Sequence, residues 1–115
     1  MGICSEEPIL DVQLPGRARL SYGHVDEAAV APILDAALAG RPLVDDCLGQ
    51  LRVAGTREWD GLPLLEQHPF LAPQVRLVLK NSGIIDPTSI DEYLAWGGYS
   101  SYTGLLRDRT PEQVC

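Results

Sequence analysis

The chain has 115 residues with a formal charge of −7, from sixteen acids against nine lysines and arginines, and 45% apolar residues. That length suits one modest core, and that composition argues against wholesale disorder. An acidic balance excludes sequence-independent nucleic-acid binding and polybasic docking on anionic lipid, both of which need a basic surface.

No run approaches the roughly 18 apolar residues of a membrane helix, so no membrane insertion is expected. The N-terminus MGICSEEPIL lacks the basic and long apolar regions of a secretory signal, which predicts a cytoplasmic protein. Gly2 suggests myristoylation, but Glu6 stands where that motif wants Ser or Thr. Cys4, Cys47 and Cys115 are odd in number and widely spaced, which disfavours a disulfide framework and encloses no metal.

In chain order, residues 8–22 read as a β-hairpin. Ile9, Leu10 and Val12 form its first strand, Pro15-Gly16 the turn, and Ala18, Leu20 and Tyr22 one face of the second strand. Arg17, Arg19 and Ser21 then take the wet face. Asp26 is placed to cap a helix running to about Ala39, with Gly40 as stop, Pro42 beyond and Pro32 loosening its first turns. Its apolar stripe is Val30, Ile33, Leu34, Ala37 and Leu38. Residues 44–67 lose periodicity and read as a linker, tethered by Trp59.

A helical part follows over 68–115. Pro69 suits a first helical position, and Phe70, Leu71, Val75, Val78 and Leu79 line one face up to Asn81-Ser82-Gly83, with Pro73 shifting the regular start toward Gln74. Asp86-Pro87 starts a second helix burying Ile90, Tyr93 and Leu94, stopped by Gly97-Gly98. A third covers about Tyr99 to Arg107. Thr110-Pro111-Glu112-Gln113 is a helix-start signature followed by only two residues. Both ends therefore read as unfinished: a two-stranded hairpin is marginal alone, and the last helix stops after one turn.

These residues resemble one family. Gly2-Ile3-Cys4, Glu7-Pro8, Pro15-Gly16, Ser21 to Val25 and Gly40-Arg41-Pro42 are similar to the end of a thioredoxin-like [2Fe-2S] domain. His68-Pro69-Phe70, Gln74-Val75-Arg76, Leu79-Lys80-Asn81, Gly83, Ile85-Asp86-Pro87, Ile90, Glu92-Tyr93, Gly97-Gly98-Tyr99 and Thr110-Pro111-Glu112 are similar to the segment before a flavin domain. The family is the NADH-oxidising flavoprotein subunit of respiratory complex I, NAD-reducing hydrogenases and NAD-dependent formate dehydrogenases. The hydrogenase and formate dehydrogenase branch is the closer match.

The resemblance implies an α+β fold: residues 1–43 as a partial thioredoxin-like ferredoxin domain, 44–67 as linker, and 68–115 as a helical lead-in to an absent FMN domain. It implies a parent enzyme that passes electrons between NADH, FMN and iron-sulfur centres ([4Fe-4S] and often [2Fe-2S]), with other redox subunits as partners. Cys4 corresponds to the last of four [2Fe-2S] cysteines, the other three lying upstream. No glycine-rich phosphate loop is present, so no cofactor is expected on this chain alone, which serves as scaffold. The competing reading is a free-standing acidic interaction module whose helical half docks on a redox partner.

Other candidates have plainer explanations. Cys47 and Cys115 match no motif. His24 lies near no nucleophile pattern, and His68 before Pro69 closes a helix N-terminus. The pairs Glu6/Glu7, Asp45/Asp46 and Asp91/Glu92 read as solvated, and Arg76, Lys80 and Arg107 as surface cations. Tyr93, Trp96, Tyr99 and Tyr102 at helical spacing offer a ring-stacking site for flavin, but such a set is more often core or interface, and core packing is the favoured reading.

Overall fold

A computed structural model describes residues 2–53 and 55–114. They form two compact units, one over Gly2–Val75 and one beginning at Arg76. The fold is mixed, with a small antiparallel sheet and a few helices, as the α+β expectation required. Among the described residues no helix is long and apolar enough to cross a membrane.

The first unit is built on three strands in the order β1 (Leu10–Val12), β2 (Arg19–Tyr22) and β3 (Cys47–Leu51). The predicted hairpin forms, with Leu10, Asp11 and Val12 opposite Tyr22, Ser21 and Leu20. Leu20 and Tyr22 point into a core that also holds Val12, Ala18, Val25, Ile33, Ala37, Trp59 and Leu62. Ser21 departs from its expected wet face, being fully buried. Its cross-strand partner is Gly49, and the backbone of Leu65 lies directly against that glycine, covering the face. Ser21 Oγ donates to Asp11 Oδ1 at 2.6 Å, so the buried hydroxyl keeps a partner.

Helix α1 (Glu27–Leu38) starts where predicted, Asp26 Oδ1 accepting the Ala29 amide at 2.9 Å. Gly40 adopts φ +73°, and the Gly40 and Arg41 amides donate to the Ala37 and Ala36 carbonyls. Those two bonds satisfy the helix's last carbonyls, a Schellman ending. Pro32 sits inside the helix on its exposed side without ending it. Ile33 and Ala37 of the expected stripe are buried, while Leu34 and Leu38 face outward.

Residues 44–67, expected as a linker, instead complete this unit. β3 pairs with β2 through Arg19↔Leu51, Leu20↔Gln50 and Ser21↔Gly49, with an irregularity at Ser21/Tyr22. Gln50 is buried, and its amide donates to the Trp59 and Leu62 carbonyls at 2.9 and 2.8 Å. Its Oε1 accepts the Trp59 amide at 2.7 Å. Trp59 does tether the segment: its indole donates to the Ala18 carbonyl at 2.8 Å, and the Arg17 guanidinium lies 3.7 Å from its ring centroid. The hairpin thus gains a third strand and a folded strap.

The helix expected over 69–81 does not form. His68 to Pro73 and Val78 to Ile84 make successive turns, with Leu71 and Ala72 both donating to the His68 carbonyl. Pro73 has no amide to donate, and in a helix its ring would crowd the carbonyl of Pro69. Only Leu71 of the predicted stripe is buried; Val75 and Val78 are 87% and 96% exposed.

The second unit holds α2 (Ile90–Ala95), α3 (Ser100–Asp108) and α4 (Pro111–Val114). α2 begins three residues later than Pro87. Asp86 caps a preceding turn instead, accepting the Thr88 amide and hydroxyl, while Ser89 Oγ accepts the Glu92 amide. Glu92 reaches back to the Asp86 amide at 2.7 Å. Ile90, Tyr93 and Leu94, expected to be buried, are all exposed. Gly97-Gly98 ends α2 as predicted, the Gly98 amide donating to the Tyr93 carbonyl. Thr110 begins α4, its amide donating to Gln113 Oε1 as in a capping box.

Candidate functional site

Cys4 opens a 3-10 turn, Cys4–Glu6, immediately before the sheet. Ile3, 1% exposed, anchors the turn in the fold, and the peptide Glu7-Pro8 is cis. The far side of the turn is held by the loop after β2. His24 donates its amide to the Glu6 carbonyl at 2.8 Å, and Val25 to that of Pro8 at 3.0 Å. His24 Nε2 lies 3.0 Å from Glu6 Oε2. Gly23 fits tightly, since a Cβ there would stand 3.0 to 3.2 Å from Leu48 and Glu6. The Cys4 thiol is thereby held outward at a fixed point of the surface.

An outward thiol on a braced turn can ligate a metal, but only with donors from elsewhere. Among the described residues no group of three His, Cys, Asp or Glu side chains could hold a metal ion. Cys4 by itself does not fit an iron-sulfur cluster, which takes about four thiolates. His24 and Glu6, unconnected in the sequence reading, come together as a brace. Asp46 belongs to the same loop cluster, its carbonyl accepting the Gly23 amide at 2.9 Å.

Cys47 is half-buried on β3, where burial pushes its thiol pKa up and a backbone hydrogen bond from Gly49 partly opposes this. Across the sheet Tyr22 is pushed up to about 12, first by burial and then by the nearby Cys47 charge. Its hydroxyl donates to the Leu43 carbonyl at 3.1 Å. The folded chain therefore holds this phenolic proton more tightly than the unfolded chain, whose value is 10.0. The associated stability is fully present below about pH 10 and is lost as pH rises from 10 through 12. A tyrosinate absorbance titration at 295 nm should show one residue ionising only near pH 12, with urea stability falling over the same window. Cys47 should also alkylate more slowly than Cys4 in the native protein.

In the second unit the predicted aromatic set is brought together, but on the surface. Tyr93 and Tyr99 meet edge to face, centroids 5.1 Å apart at 82°, and Tyr99 meets Tyr102 at 6.4 Å. Tyr99 holds φ +59°, a left-handed conformation that costs a non-glycine residue about 1–2 kcal/mol. Gly98 is required beside it, because a Cβ there would collide with the Tyr93 ring and carbonyl. His68 Nδ1 accepts the Phe70 amide at 3.3 Å, capping a turn rather than the expected helix. Arg107 lies in the last turn of α3.

Sequence reasoning missed Gln50, Gly49 and the Ser21–Asp11 pair. No pattern marks Gln50 and Gly49, since their roles arise from residues 59–65 folding back, whereas Asp11 and Ser21 meet as opposite residues of the hairpin. Compared with protein-family models, curated proteins and solved structures, the chain matches none.

Proposed function

We propose that this chain is part of an NADH-oxidising flavoprotein subunit, spanning the end of a thioredoxin-like [2Fe-2S] domain and the lead-in to a flavin domain. The observation that carries the reading is the sequence run from His68 to Glu112, together with Gly2-Ile3-Cys4 and Glu7-Pro8 ahead of a short strand. The exposed, braced Cys4 turn supports it, because a cluster ligand must present its thiolate outward to meet its fellow ligands. In the parent, FMN and the clusters supply hydride and electron chemistry, and the protein positions and tunes them. This chain's own residues contribute one thiolate and a scaffold, without turnover of their own. Its partners are the other redox subunits, and its compartment the cytoplasm.

The purified chain should contain no stoichiometric flavin, iron or acid-labile sulfide and should not reduce ferricyanide with NADH. Clear turnover by the isolated chain would defeat the scaffold reading. Flanking coding sequence should continue in frame into further cysteines upstream and a glycine-rich loop downstream. In that longer protein, Cys4→Ser should lower [2Fe-2S] iron content to near zero; unchanged iron would remove Cys4 from the ligand set.

A further inference from the structure

Tyr93, Trp96, Tyr99 and Tyr102 are 42% to 57% exposed, so core packing does not account for them. Two clefts, of about 350 and 390 Å³, share Tyr93 and Tyr99 as a common wall. The first is lined further by Asp86, Pro87 and Ile90, and the second by Asn81, Trp96 and Tyr102. The volumes lie in the range of ligand sites, but half-exposed rings would leave a small molecule largely uncovered.

Adjacent slots walled by aromatic edges suit a different occupant. A polyproline II segment carries flat apolar rings at three residues per turn and leaves its carbonyls unpaired. Phenol hydroxyls, the Trp96 indole and the Asn81 amide are donors for such carbonyls. An already extended chain also loses little entropy on docking against rigid rings. The first cleft adds charge: Asp86 accepts two hydrogen bonds from Thr88, at 2.8 and 2.7 Å, which fix its carboxylate in place. Those bonds also lower its pKa.

We propose that the two clefts astride Tyr93 and Tyr99 bind a proline-rich peptide in polyproline II form, with a basic residue seated at Asp86. The site lies in the stretch that carries the flavoprotein reading but goes beyond it and does not involve Cys4.

The test titrates the full chain, by amide and indole NMR, with a synthetic proline-rich peptide ending in arginine. Controls are its alanine-for-proline and glutamate-for-arginine counterparts, riboflavin and tetramethylammonium. Saturable shifts are expected at residues 81–102 with the first peptide, and binding about tenfold weaker for each control peptide, the scale of one lost anchor contact. Trp96→Ala and Tyr102→Ala should each weaken binding about tenfold, with unchanged far-UV circular dichroism. Asp86→Asn, which keeps the Thr88 acceptor, should remove the preference for arginine over glutamate. The peptide comparison on the unmodified chain decides the matter even if a variant misfolds. No saturation below about 1 mM, equal binding of the alanine peptide, or saturation by riboflavin or tetramethylammonium alone would overturn the proposal.

Discussion

Replacing Gln50 with leucine should remove most of the stability of the Gly2–Val75 unit. The leucine fills similar space but strands three buried backbone groups: the Trp59 amide, the Trp59 carbonyl and the Leu62 carbonyl, all now bonded to the Gln50 side chain at 2.7 to 2.9 Å. Each unsatisfied buried group costs about 1–3 kcal/mol, so a loss of roughly 3 kcal/mol or more is expected. Small domains hold about 5–15 kcal/mol in total, at the lower end for so few residues. In urea unfolding followed by far-UV circular dichroism, the midpoint should fall by roughly 1–3 M. Gln50→Ala should be at least as damaging, adding a cavity to the lost bonds. A loss below about 1 kcal/mol would mean that water reaches residues 59–62 and that the strap is not part of the core.

That dependence shows why residues 44–67 were hard to read. The run Cys47 to Leu51 has no clean alternation, because Gly49 gives no side chain to one face and Gln50 puts a polar one into the other. Gln50 is apolar in effect only once the chain from Trp59 to Leu62 wraps it. Pattern reading sees residue types and spacing, whereas this strand is defined by partners nine to twelve positions away. The hairpin and α1 were legible for the opposite reason. Their signals are local: alternation through Ala18, Leu20 and Tyr22, a capping Asp26, and Gly40 at the left-handed end.

The helix expected over 69–81 shows the reverse error. Apolar residues recur there at helical spacing, but spacing forms a helix in a protein mainly when the stripe packs against something. Here Val75, Leu77 and Val78 are exposed, and two prolines remove donors from the first turns. The aromatic set behaves alike. Its clustering at Tyr93, Tyr99 and Tyr102 was legible from spacing and the Gly97-Gly98 break, but its exposure was not, since periodicity says which side chains share a face and not what covers it. Cys4 was placed from its neighbours in sequence. The brace that fixes it, His24 on Glu6, depends on a loop some twenty residues away and carries no sequence mark.

The second large effect follows from the same strap. Gly49 has φ +143° and lies under the 3-10 turn Leu65–Gln67, where an added Cβ would stand 2.7 Å from both Leu65 N and Leu65 Cα. Those are backbone atoms, so no side-chain rotation relieves the contact. Gly49→Ala must either pull the turn off the sheet or shift β3, and the Gln50 amide bonded to the Pro63 carbonyl at 2.9 Å resists both. Backbone strain of about 1–3 kcal/mol and overpacking of about 1–3 kcal/mol together predict a loss near 4 kcal/mol. Gly16→Ala is the matched control. It also has positive φ, +71°, but nothing lies within 4 Å of the added Cβ, so strain alone should cost about 1–2 kcal/mol. Measured side by side in urea, Gly49→Ala should be the more destabilising by at least about 1 kcal/mol, with Ser21 losing its cover and the Ser21 amide exchanging faster with solvent deuterium. Equal losses at the two positions would place Leu65 off the sheet, and with it the whole account of why Ser21 is buried.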